Sequence, residues 1–344
     1  MGIENNQIGK LANLNRTDTV FDSNGAVGQD ASDGSSEGLA AMSVYYAENG
    51  VTSFCATTMT LDEDRLTKAM EAVRDFERTD KGARCAGVHL EGPFLSYAKR
   101  GAQAAEHLRD PDIGMFERLN AASGKSVRLI SVAPELPGCT TFITHVSQHC
   151  SVSLAHTTAD YNTALDAFKS GATQATHLFN GMNSFLHREP GLIGAALDAG
   201  AYVELICDGL HVHPAVIRAT FAMFENRVLL ISDSLRCAGM PDGEYELGGQ
   251  TVIMQNGKAT LQDGTLAGSS ISVLHAIRNI VSYGIPLEKA VAAAAALPAR
   301  AIGVEDSIGS IEVGKLADLV ILDSHLSIMA TIIDGKVAYK RDST

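Results

Sequence analysis

The sequence predicts an α/β fold, a TIM-like (β/α)8 barrel carrying a small β-domain, and three observations lead to it. Eight short apolar runs follow one another along the chain, and each of them ends in polar residues. Helical patterns separate these runs, which is typical of βαβ units and a parallel sheet. The length of 344 residues accommodates one barrel of roughly 250 residues together with an appendage.

The predicted strands are nearly continuous apolar runs because a parallel strand in a barrel is buried on both faces. In order, the eight segments are TVFDSNG, GVTSFCATT, RCAGVHLEG, VRLISVAPE, CSVSLAHTT, ATQATHLFN, YVELICDGLH and RVLLISDS. In a closed barrel the residues at the carboxyl ends of the strands surround the active-site mouth. The polar strand ends are therefore the first place to look for chemistry.

Helices are predicted between the strands from their apolar spacing and their end signals. LDEDRLTKAMEAVRDFER begins with acidic residues, TADYNTALDAFKSG ends at Gly171, and HPAVIRATFAMFEN carries Pro214 in its first turn. Two more helical stretches follow the last barrel strand, ISVLHAIRNIVSYG and the alanine-rich PLEKAVAAAAALPARAIG. Pro298 is expected to end or kink the second of these.

The pattern changes after the eighth run. Alternating polar and apolar residues around Asn256-Gly257 predict a β-hairpin insertion near residues 244–262. GKLADLVILD and ATIIDGKVAYK predict further strands, with a turn at Asp334-Gly335. We expect the barrel to occupy residues 19–305, and a small, partly trimmed β-sandwich domain to combine residues 1–18 with residues 306–344.

Composition narrows the class of protein. The formal net charge of −13 disfavours nucleic acid or an anionic membrane as a partner. No apolar run approaches the ~20 residues that a membrane-spanning helix needs, and the N-terminus lacks a secretory signal, so we expect a soluble cytoplasmic protein. The six cysteines lie far apart without a Cys-x-x-Cys pair, which argues against a zinc ribbon or a disulfide framework.

Three potential metal ligands stand at strand ends: Glu91, His156 and His177 close runs three, five and six. Two imidazoles and one carboxylate suit a Zn²⁺ or Fe²⁺ ion that keeps an open position for water. Any single histidine could be a hydrogen-bonded structural residue instead, but three ligand types at three strand ends favour a metal site. Asp233 closes run eight, where it could move protons as a general base and acid or cap the following segment.

Several motifs together resemble N-acetylglucosamine-6-phosphate deacetylases of the amidohydrolase superfamily. They are HLEGPF, THLFNGM, REPGL, DGLHVHP, SDSLRCAG, GTLAGSS and GSIEVGKLADLVILD, within roughly residues 20–338. The resemblance implies one divalent metal ion per subunit, held by Glu91, His156 and His177, with Asp233 as the catalytic aspartate. It also implies a set of substrate-binding residues, which are Ala102, Gln103, Asn180, Gly181, Arg188, His211, Leu266, Ala267 and Gly268.

The chemistry of some of these residues supports the implied roles. Arg188 suits a phosphate clamp because its planar donors match phosphate oxygens, although an ion pair with Glu189 is the alternative. His211 could hydrogen-bond the sugar or its phosphate, whereas we expect His213 to be a turn residue before Pro214. The GTLAGSS segment could bring its backbone close to a substrate, or it could be an ordinary loop.

The sequence departs from the family pattern in three places. Many amidohydrolases carry His-x-His after strand one to hold a second metal, but Asp22-Ser23-Asn24-Gly25 stands here, which favours a mononuclear site. Asp22 could touch the metal or substrate, or serve only in a turn. Gln103 replaces a frequent histidine, and it can donate a hydrogen bond but carry no charge. The third departure is the short N-terminus.

The function expected from the resemblance is hydrolysis of N-acetylglucosamine 6-phosphate to glucosamine 6-phosphate and acetate, in amino-sugar catabolism. One alternative is the N-acetylgalactosamine epimer, because nothing in the motifs distinguishes the two sugars. A sugar-phosphate-binding homologue without turnover is the other. Relatives are often homodimers with phosphate contacts across the interface, so a homodimer is expected.

Overall fold

Eight parallel strands form a closed barrel, as predicted. The structure is a computed structural model that describes residues 19–342, with only the backbone described for residues 19–23. Each strand pairs with its neighbours in sequence order, and β1 pairs with both β2 and β8, which closes the sheet. The strands are β1 (Thr19–Ser23), β2 (Ser53–Thr58), β3 (Arg84–Glu91), β4 (Val127–Val132), β5 (Ser151–Leu154), β6 (Gln174–Ala175), β7 (Tyr202–Ile206) and β8 (Val228–Ser234).

The burial of the strands explains why they are so apolar. Every residue of β2 and of β8 is buried, since one face packs inside the barrel and the other against the helices. Leu129, Ile206 and Leu229 are fully buried in the interior cluster of the barrel, with Leu297 and Ile302 closing the group. Glu91 and Asp233 are buried polar residues at or near the carboxyl ends of β3 and β8.

Ten α-helices accompany the strands among the described residues. They are α1 (Ser36–Glu48), α2 (Glu63–Arg74), α3 (Ile113–Ala122), α4 (Cys139–Val146), α5 (Tyr161–Lys169), α6 (Gly191–Ala199), α7 (Pro214–Phe224), α8 (Val273–Ser282), α9 (Leu287–Ala294) and α10 (Ala296–Ala301). Their ends follow the expected signals: Pro214 is the first residue of α7, and Asp62 caps α2 by accepting a hydrogen bond from the Arg65 amide. Within the described part of the chain, no helix combines the length and apolar composition needed to cross a membrane.

The alanine-rich stretch is kinked, as predicted, three residues before its proline. Ala295 leaves the helical conformation with φ −130° and ψ −81°, and this separates α9 from α10. Pro298 then lies within the first turn of α10, where the missing N–H group costs no helical hydrogen bond. The kink turns α10 under the barrel, so that Leu297 and Ile302 join the interior cluster.

The predicted hairpin is part of a larger four-stranded antiparallel sheet. Its strands are β9 (Gly243–Leu247), β10 (Gln250–Gln255), β11 (Lys258–Leu261) and β12 (Leu266–Gly268). Gln255 pairs with Lys258 across the Asn256-Gly257 turn, and both turn residues have positive φ, 51° and 78°. Such a two-residue turn matches the twist of paired strands, which confirms the sequence signal.

A three-stranded antiparallel sheet follows the last helix. It comprises β13 (Leu319–Leu322), β14 (Ile328–Ile333) and β15 (Lys336–Lys340), with the predicted turn at Asp334-Gly335. Arg84 at the start of β3 links this sheet to the barrel, because its guanidinium lies 2.6 Å from an Asp318 oxygen and also contacts Asp334. The N-terminal share predicted for this β-domain, residues 1–18, lies outside the described residues, and the predicted domain boundaries stay predictions.

Candidate active site

Three potential ligands converge at the open end of the barrel. Glu91 is the last residue of β3, while His156 and His177 each stand two residues beyond β5 and β6. The Nε2 atoms of both histidines lie 3.1 Å from Glu91 Oε1, and the two Nε2 atoms are 3.0 Å apart. All three side chains are buried. The structure thus brings together the three residues that the sequence predicts as metal ligands.

A backbone carbonyl sets the orientation of one imidazole. His156 Nδ1 donates a hydrogen bond to the Lys99 carbonyl oxygen at 2.7 Å, which leaves the lone pair of Nε2 pointing towards Glu91. Outer contacts of this kind select the tautomer of a metal-binding histidine. Gly181 packs against the same ring, since a Cβ atom at this position would come within 2.9 Å of His156 Nδ1.

A network of buried hydrogen bonds lies inside the barrel next to the three candidate ligands. His89 Nε2 lies 2.8 Å from Ser131 Oγ, and Ser131 Oγ lies 3.0 Å from Thr176 Oγ1, next to His177. Thr176 Oγ1 in turn lies 2.6 Å from Ser153 Oγ. These buried hydrogen bonds link β3, β4, β5 and β6, which are the strands beneath the three ligands. Such a network holds the strand ends in a fixed arrangement.

The charge of Glu91 fits the same arrangement. Burial alone would disfavour ionisation, but the contacts with His156 and His177 hold the pKa of Glu91 well below its usual range. The group therefore presents one anionic oxygen and two imidazole nitrogens to a common point.

This donor set fits a divalent metal ion. Around a tetrahedral ion with bonds of about 2.0–2.1 Å, neighbouring ligand atoms lie about 3.3–3.4 Å apart. The observed separations of 3.0–3.1 Å are slightly shorter, so small rotations of the three side chains would open a place for the ion. Two imidazoles with one carboxylate suit Zn²⁺ or Fe²⁺.

Asp233 stands beside this group at the end of β8. The residue is 9% exposed and lines the same pocket as the three candidate ligands. The chain continues from β8 into a hydrogen-bonded turn, with Ala238 N donating to Leu235 O, rather than into a helix. Asp233 therefore does not cap an α-helix, and its alternative role in capping the following turn stays a prediction.

Three of these residues adopt left-handed backbone conformations. The φ angles are 44° at His156, 30° at His177 and 47° at Asp233. A residue with a Cβ atom is strained in this region, and such strain is found at functional sites where it aims side chains. The strand ends turn sharply here, which directs the three side chains towards the mouth.

The predicted substrate residues, with one exception, surround a pocket of about 340 Å³ above the ligands. Gln103 is buried, and its Oε1 accepts a hydrogen bond from the Thr60 amide at 2.7 Å. This contact leaves the Gln103 amide N–H₂ as the donor available to a substrate. The predicted residues on the pocket wall are Ala102, Gln103, Asn180, Gly181, His211, Leu266, Ala267 and Gly268.

His211 is held by a hydrogen bond that its ring donates to Asp208 on the same loop. Its Nδ1 lies 2.6 Å from Asp208 Oδ2, and both side chains are almost fully buried. Burial alone would raise the pKa of Asp208. The hydrogen bonds from the His211 side chain and from the Leu210 and His211 amides outweigh this effect, so the pKa lies below its usual value. His211 Nε2 is thus the nitrogen left for a ligand. His213 caps α7 by accepting from the Ala215 amide, in agreement with its predicted place at a turn.

Arg188 is the exception among the predicted residues. It lies on an exposed loop, where its guanidinium contacts the His187 ring, and it does not line the pocket. The pocket wall includes no lysine or arginine among the described residues. Its predicted role as a phosphate clamp stays a prediction.

The GTLAGSS segment is built into the site instead of forming a loose loop. Leu266, Ala267 and Gly268 are strand β12, and the following residue bonds to the end of β8. Ser269 N donates to Asp233 O at 2.7 Å, and Leu235 N donates to Ser269 O at 3.0 Å. The backbone of this wall is therefore fixed relative to Asp233.

Five other pocket residues were not anticipated as site residues. Asn24 is the most informative, because it is 2% exposed and its Oδ1 has no protein hydrogen-bond partner, while Nδ2 lies 3.4 Å from Met59 Sδ. In the sequence, Asn24 stands out only as part of the stretch Asp22-Ser23-Asn24-Gly25, where many amidohydrolases carry His-x-His. The side chain of Asp22 lies outside the described residues. The five are Asn24, Met59, Gly101, Phe179 and Thr265.

Comparison with known proteins agrees with this geometry. A model of the amidohydrolase family matches residues 11–339, which is nearly the whole chain. The chain belongs to the amidohydrolase family. This membership fits a metal-dependent hydrolase site at the open end of the barrel, with Glu91, His156 and His177 as the candidate ligands.

Two relatives of this amidohydrolase show the same level of sequence identity. It is 37% identical to the N-acetylglucosamine-6-phosphate deacetylase of Bacillus subtilis, over 92% of this chain and 82% of the relative. It is also 37% identical to the N-acetylgalactosamine-6-phosphate deacetylase of Escherichia coli O157:H7, over 91% of this chain and 84% of that protein.

A solved structure shows the same fold. It is a mutant of N-acetyl-D-glucosamine-6-phosphate deacetylase from Mycobacterium smegmatis in complex with N-acetyl-D-glucosamine-6-phosphate. The TM-score is 0.88 at 30% identity, and the match covers 94% of this chain and 86% of that one.

Proposed function

We propose that this protein hydrolyses N-acetylglucosamine 6-phosphate to glucosamine 6-phosphate and acetate. The observation that carries the proposal is the placement of Glu91, His156, His177 and Asp233 in one pocket with a wall suited to a small polar substrate. The similarity to deacetylases of this sugar phosphate in Bacillus subtilis and Mycobacterium smegmatis supports the substrate.

Glu91, His156 and His177 would hold one divalent metal ion per subunit, with Zn²⁺ or Fe²⁺ as the candidates. When bound, the ion would polarise the amide carbonyl and make water more acidic. The choice between the two ions is open, because imidazole and carboxylate ligands suit both.

Asp233 is the candidate acid and base. Its carboxylate would accept a proton from the attacking water and then deliver it to the departing nitrogen, so that the products are acetate and the free amine. The strained backbone at Asp233 and its bond to Ser269 keep the carboxylate aimed into the pocket.

The remaining pocket residues would bind the sugar. The Gln103 amide N–H₂ and the Asn24 Oδ1 atom offer one donor and one acceptor in a buried wall. His211, held by Asp208, would hydrogen-bond the sugar or its phosphate. Asn180, Gly181 and the backbone of β12 would complete the enclosure.

The phosphate requires more positive charge than the pocket itself supplies. Arg188 does not line the pocket of its own chain, so it would contact the phosphate from the exposed loop of a second subunit. This arrangement requires a homodimer that shares phosphate contacts across its interface. A homodimer and a cytoplasmic location both remain parts of the proposal.

Measurement of acetate release tests the function. Metal-free protein would be loaded separately with Zn²⁺ or Fe²⁺ and given either epimer of the N-acetyl-amino-sugar 6-phosphate, with a chelated sample as control. Chelator-sensitive release from the glucosamine epimer supports the proposal. Absence of release from both, with metal shown to be bound, contradicts it and favours a binding protein without turnover.

The galactosamine epimer is the second candidate substrate. It is favoured by the 37% identity to the Escherichia coli O157:H7 enzyme, which equals the identity to the Bacillus subtilis deacetylase. The two sugars differ at one hydroxyl group, so the ratio of kcat/KM for the two epimers decides between them.

A further inference from the structure

A second group of metal-binding side chains lies on the outside of the barrel. It consists of Glu117 on α3, His145 on α4 and His149 in the turn that follows α4. One ligand atom from each residue lies within 4.8 Å of the others. Among the described residues, this outer group and the Glu91 group are the two such sets.

The geometry brings all three side chains to one carboxylate oxygen. His145 Nε2 lies 2.7 Å from Glu117 Oε1, and His149 Nε2 lies 3.9 Å from the same oxygen. The two imidazole rings are 5.3 Å apart between centroids, with an angle of 51° between their planes. The two nitrogen–oxygen distances, 2.7 and 3.9 Å, lie on either side of the roughly 3.3–3.4 Å that separates ligand atoms around a tetrahedral ion.

The backbone explains why the histidines share a face. Residues four apart in a helical backbone are neighbours, and the chain after α4 keeps this curvature, with Cys150 N donating to Val146 O at 3.1 Å. The His149 ring also lies beside Phe116, 6.2 Å away between centroids. The helical spacing and the contact with Phe116 thus hold His149 on the side of His145 that faces Glu117.

Charge and exposure suit a cation from solvent. Glu117 supplies one carboxylate oxygen, and a bound ion would displace the proton by which His145 Nε2 donates to it. The three side chains are 37–49% exposed, which leaves room for water to complete the coordination. The exposure also limits affinity, because solvent screens the site and the side chains lose rotamer freedom on binding.

We propose that Glu117, His145 and His149 form a second, surface metal site that binds a divalent transition-metal ion such as Zn²⁺, Ni²⁺ or Cu²⁺. Imidazole ligands favour these ions over Mg²⁺ and Ca²⁺, which prefer oxygen ligands. The bound ion connects α3 to α4. This site is separate from the barrel mouth and rests on no part of the proposed deacetylase function.

The test counts Zn²⁺ bound by the full-length, metal-free protein in competition with a chromophoric chelator. The wild-type protein should bind two ions per chain, and the double variant His145→Gln/His149→Gln should bind one. The matched control is His275→Gln/His325→Gln, which removes two exposed histidines outside the group and should leave the count at two.

Three further readouts separate the possible outcomes. Glu117→Gln retains the shape of the side chain and should weaken the outer site at least tenfold, which tests the site independently if the double variant folds poorly. The outer double variant should retain acetate release, whereas His177→Gln should lose the inner ion and keep the outer one. Equal counts in the wild-type protein and the outer double variant, or equal losses in the outer and control variants, would overturn the proposal. Both comparisons isolate the outer site, whether or not the inner site binds Zn²⁺ and whether or not the enzyme deacetylates its substrate.

Discussion

Asp30→Asn should make the protein more stable at neutral pH, because Asp30 is a buried carboxyl group whose ionisation opposes folding. Asp30 ends the short strand Gln29–Asp30, which pairs with Gly25–Ala26 after β1, and it is 3% exposed. Its Oδ1 accepts a hydrogen bond from the Ser32 amide at 2.8 Å, whereas Oδ2 has no protein hydrogen-bond partner and lies 4.0 Å from Arg236 Nη2. Burial raises its pKa to about 6, against the opposing effects of the Ser32 hydrogen bond and the Arg236 charge.

The direction of the pH dependence follows from the raised pKa. In the unfolded chain the Asp30 carboxyl has its ordinary pKa of 3.8, so between about pH 4 and 6 the folded protein retains a proton that the unfolded chain has released. The free energy of unfolding therefore falls as pH rises through this window. An interval of about two pH units corresponds to about 3 kcal/mol at about 1.4 kcal/mol per unit.

Asparagine is the matched replacement because it keeps the acceptor for the Ser32 amide and carries no charge. The variant should equal the wild-type protein near pH 4 and exceed its free energy of unfolding by up to about 3 kcal/mol at pH 7. Urea denaturation of both proteins at a series of pH values, in chelator, measures the difference while other titrating groups cancel. Asp306→Asn, at an exposed position, controls for the change in net charge. A difference that stays constant from pH 4 to 7 would refute the reasoning.

Three other predictions concern the site. Asp233→Asn should keep metal and substrate binding but lower kcat by about 10²–10⁴-fold through loss of the proton acceptor, and near-normal kcat with bound metal would remove Asp233 from that role. Arg188→Ala should raise KM for the phosphorylated sugar by about 10–100-fold while affecting the unphosphorylated sugar little, because a charge-assisted phosphate contact contributes about 1.5–3 kcal/mol; equal effects on the two sugars would contradict the clamp. Gly181→Ala should displace His156, because the new Cβ would lie 2.9 Å from His156 Nδ1 and Gly181 has a φ of 59°. The variant should lose its metal to a chelator faster than the control variant Gly257→Ala, in which the added methyl group contacts nothing. Equal rates of metal loss in the two variants would contradict the prediction.

The sequence predicts the barrel and its candidate site residues for one physical reason. Strands buried on both faces must be apolar, so a polar residue that ends such a run is conspicuous, and Glu91, His156, His177 and Asp233 all stand there. Turn chemistry is equally local, and the turn at Asn256-Gly257 is found where the dipeptide predicts it. These features depend on short segments and require no knowledge of long-range packing.

Other parts of the site depend on contacts that no local pattern encodes. The Lys99 carbonyl orients His156 from 57 residues away in sequence, through an atom that every residue possesses. Asn24 and Met59 line the pocket as neutral side chains on different loops, so neither carries a recognisable signal. An arginine is a suitable residue type for a phosphate contact, but the residue type does not determine where the side chain lies. The position of Arg188 depends on the path of its exposed loop, which no local sequence pattern encodes.

The larger insertion shows a similar limit. The predicted segment 244–262 takes in β9, β10 and β11, but its hairpin signal at Asn256-Gly257 accounts only for the pairing of β10 with β11. Leu247 and Gln250 pair across Gly248-Gly249, a turn signal that would have indicated the additional strand. β12 is only three residues long, and its place against β8 depends on the hydrogen bonds of Ser269.

The left-handed conformations of His156, His177 and Asp233 affect how such a chain can evolve. Each conformation costs on the order of 1–3 kcal/mol, and asparagine or glycine would tolerate it better. A lineage that no longer needed turnover would gain stability by replacing these residues, and random substitution would supply the replacements readily. The proposed function accounts for this cost, because the same backbone turns direct the three side chains towards the mouth of the barrel. The same cost sets a route for engineering: a stabilised, inactive version of the barrel should be reachable by substitutions at the strand ends alone.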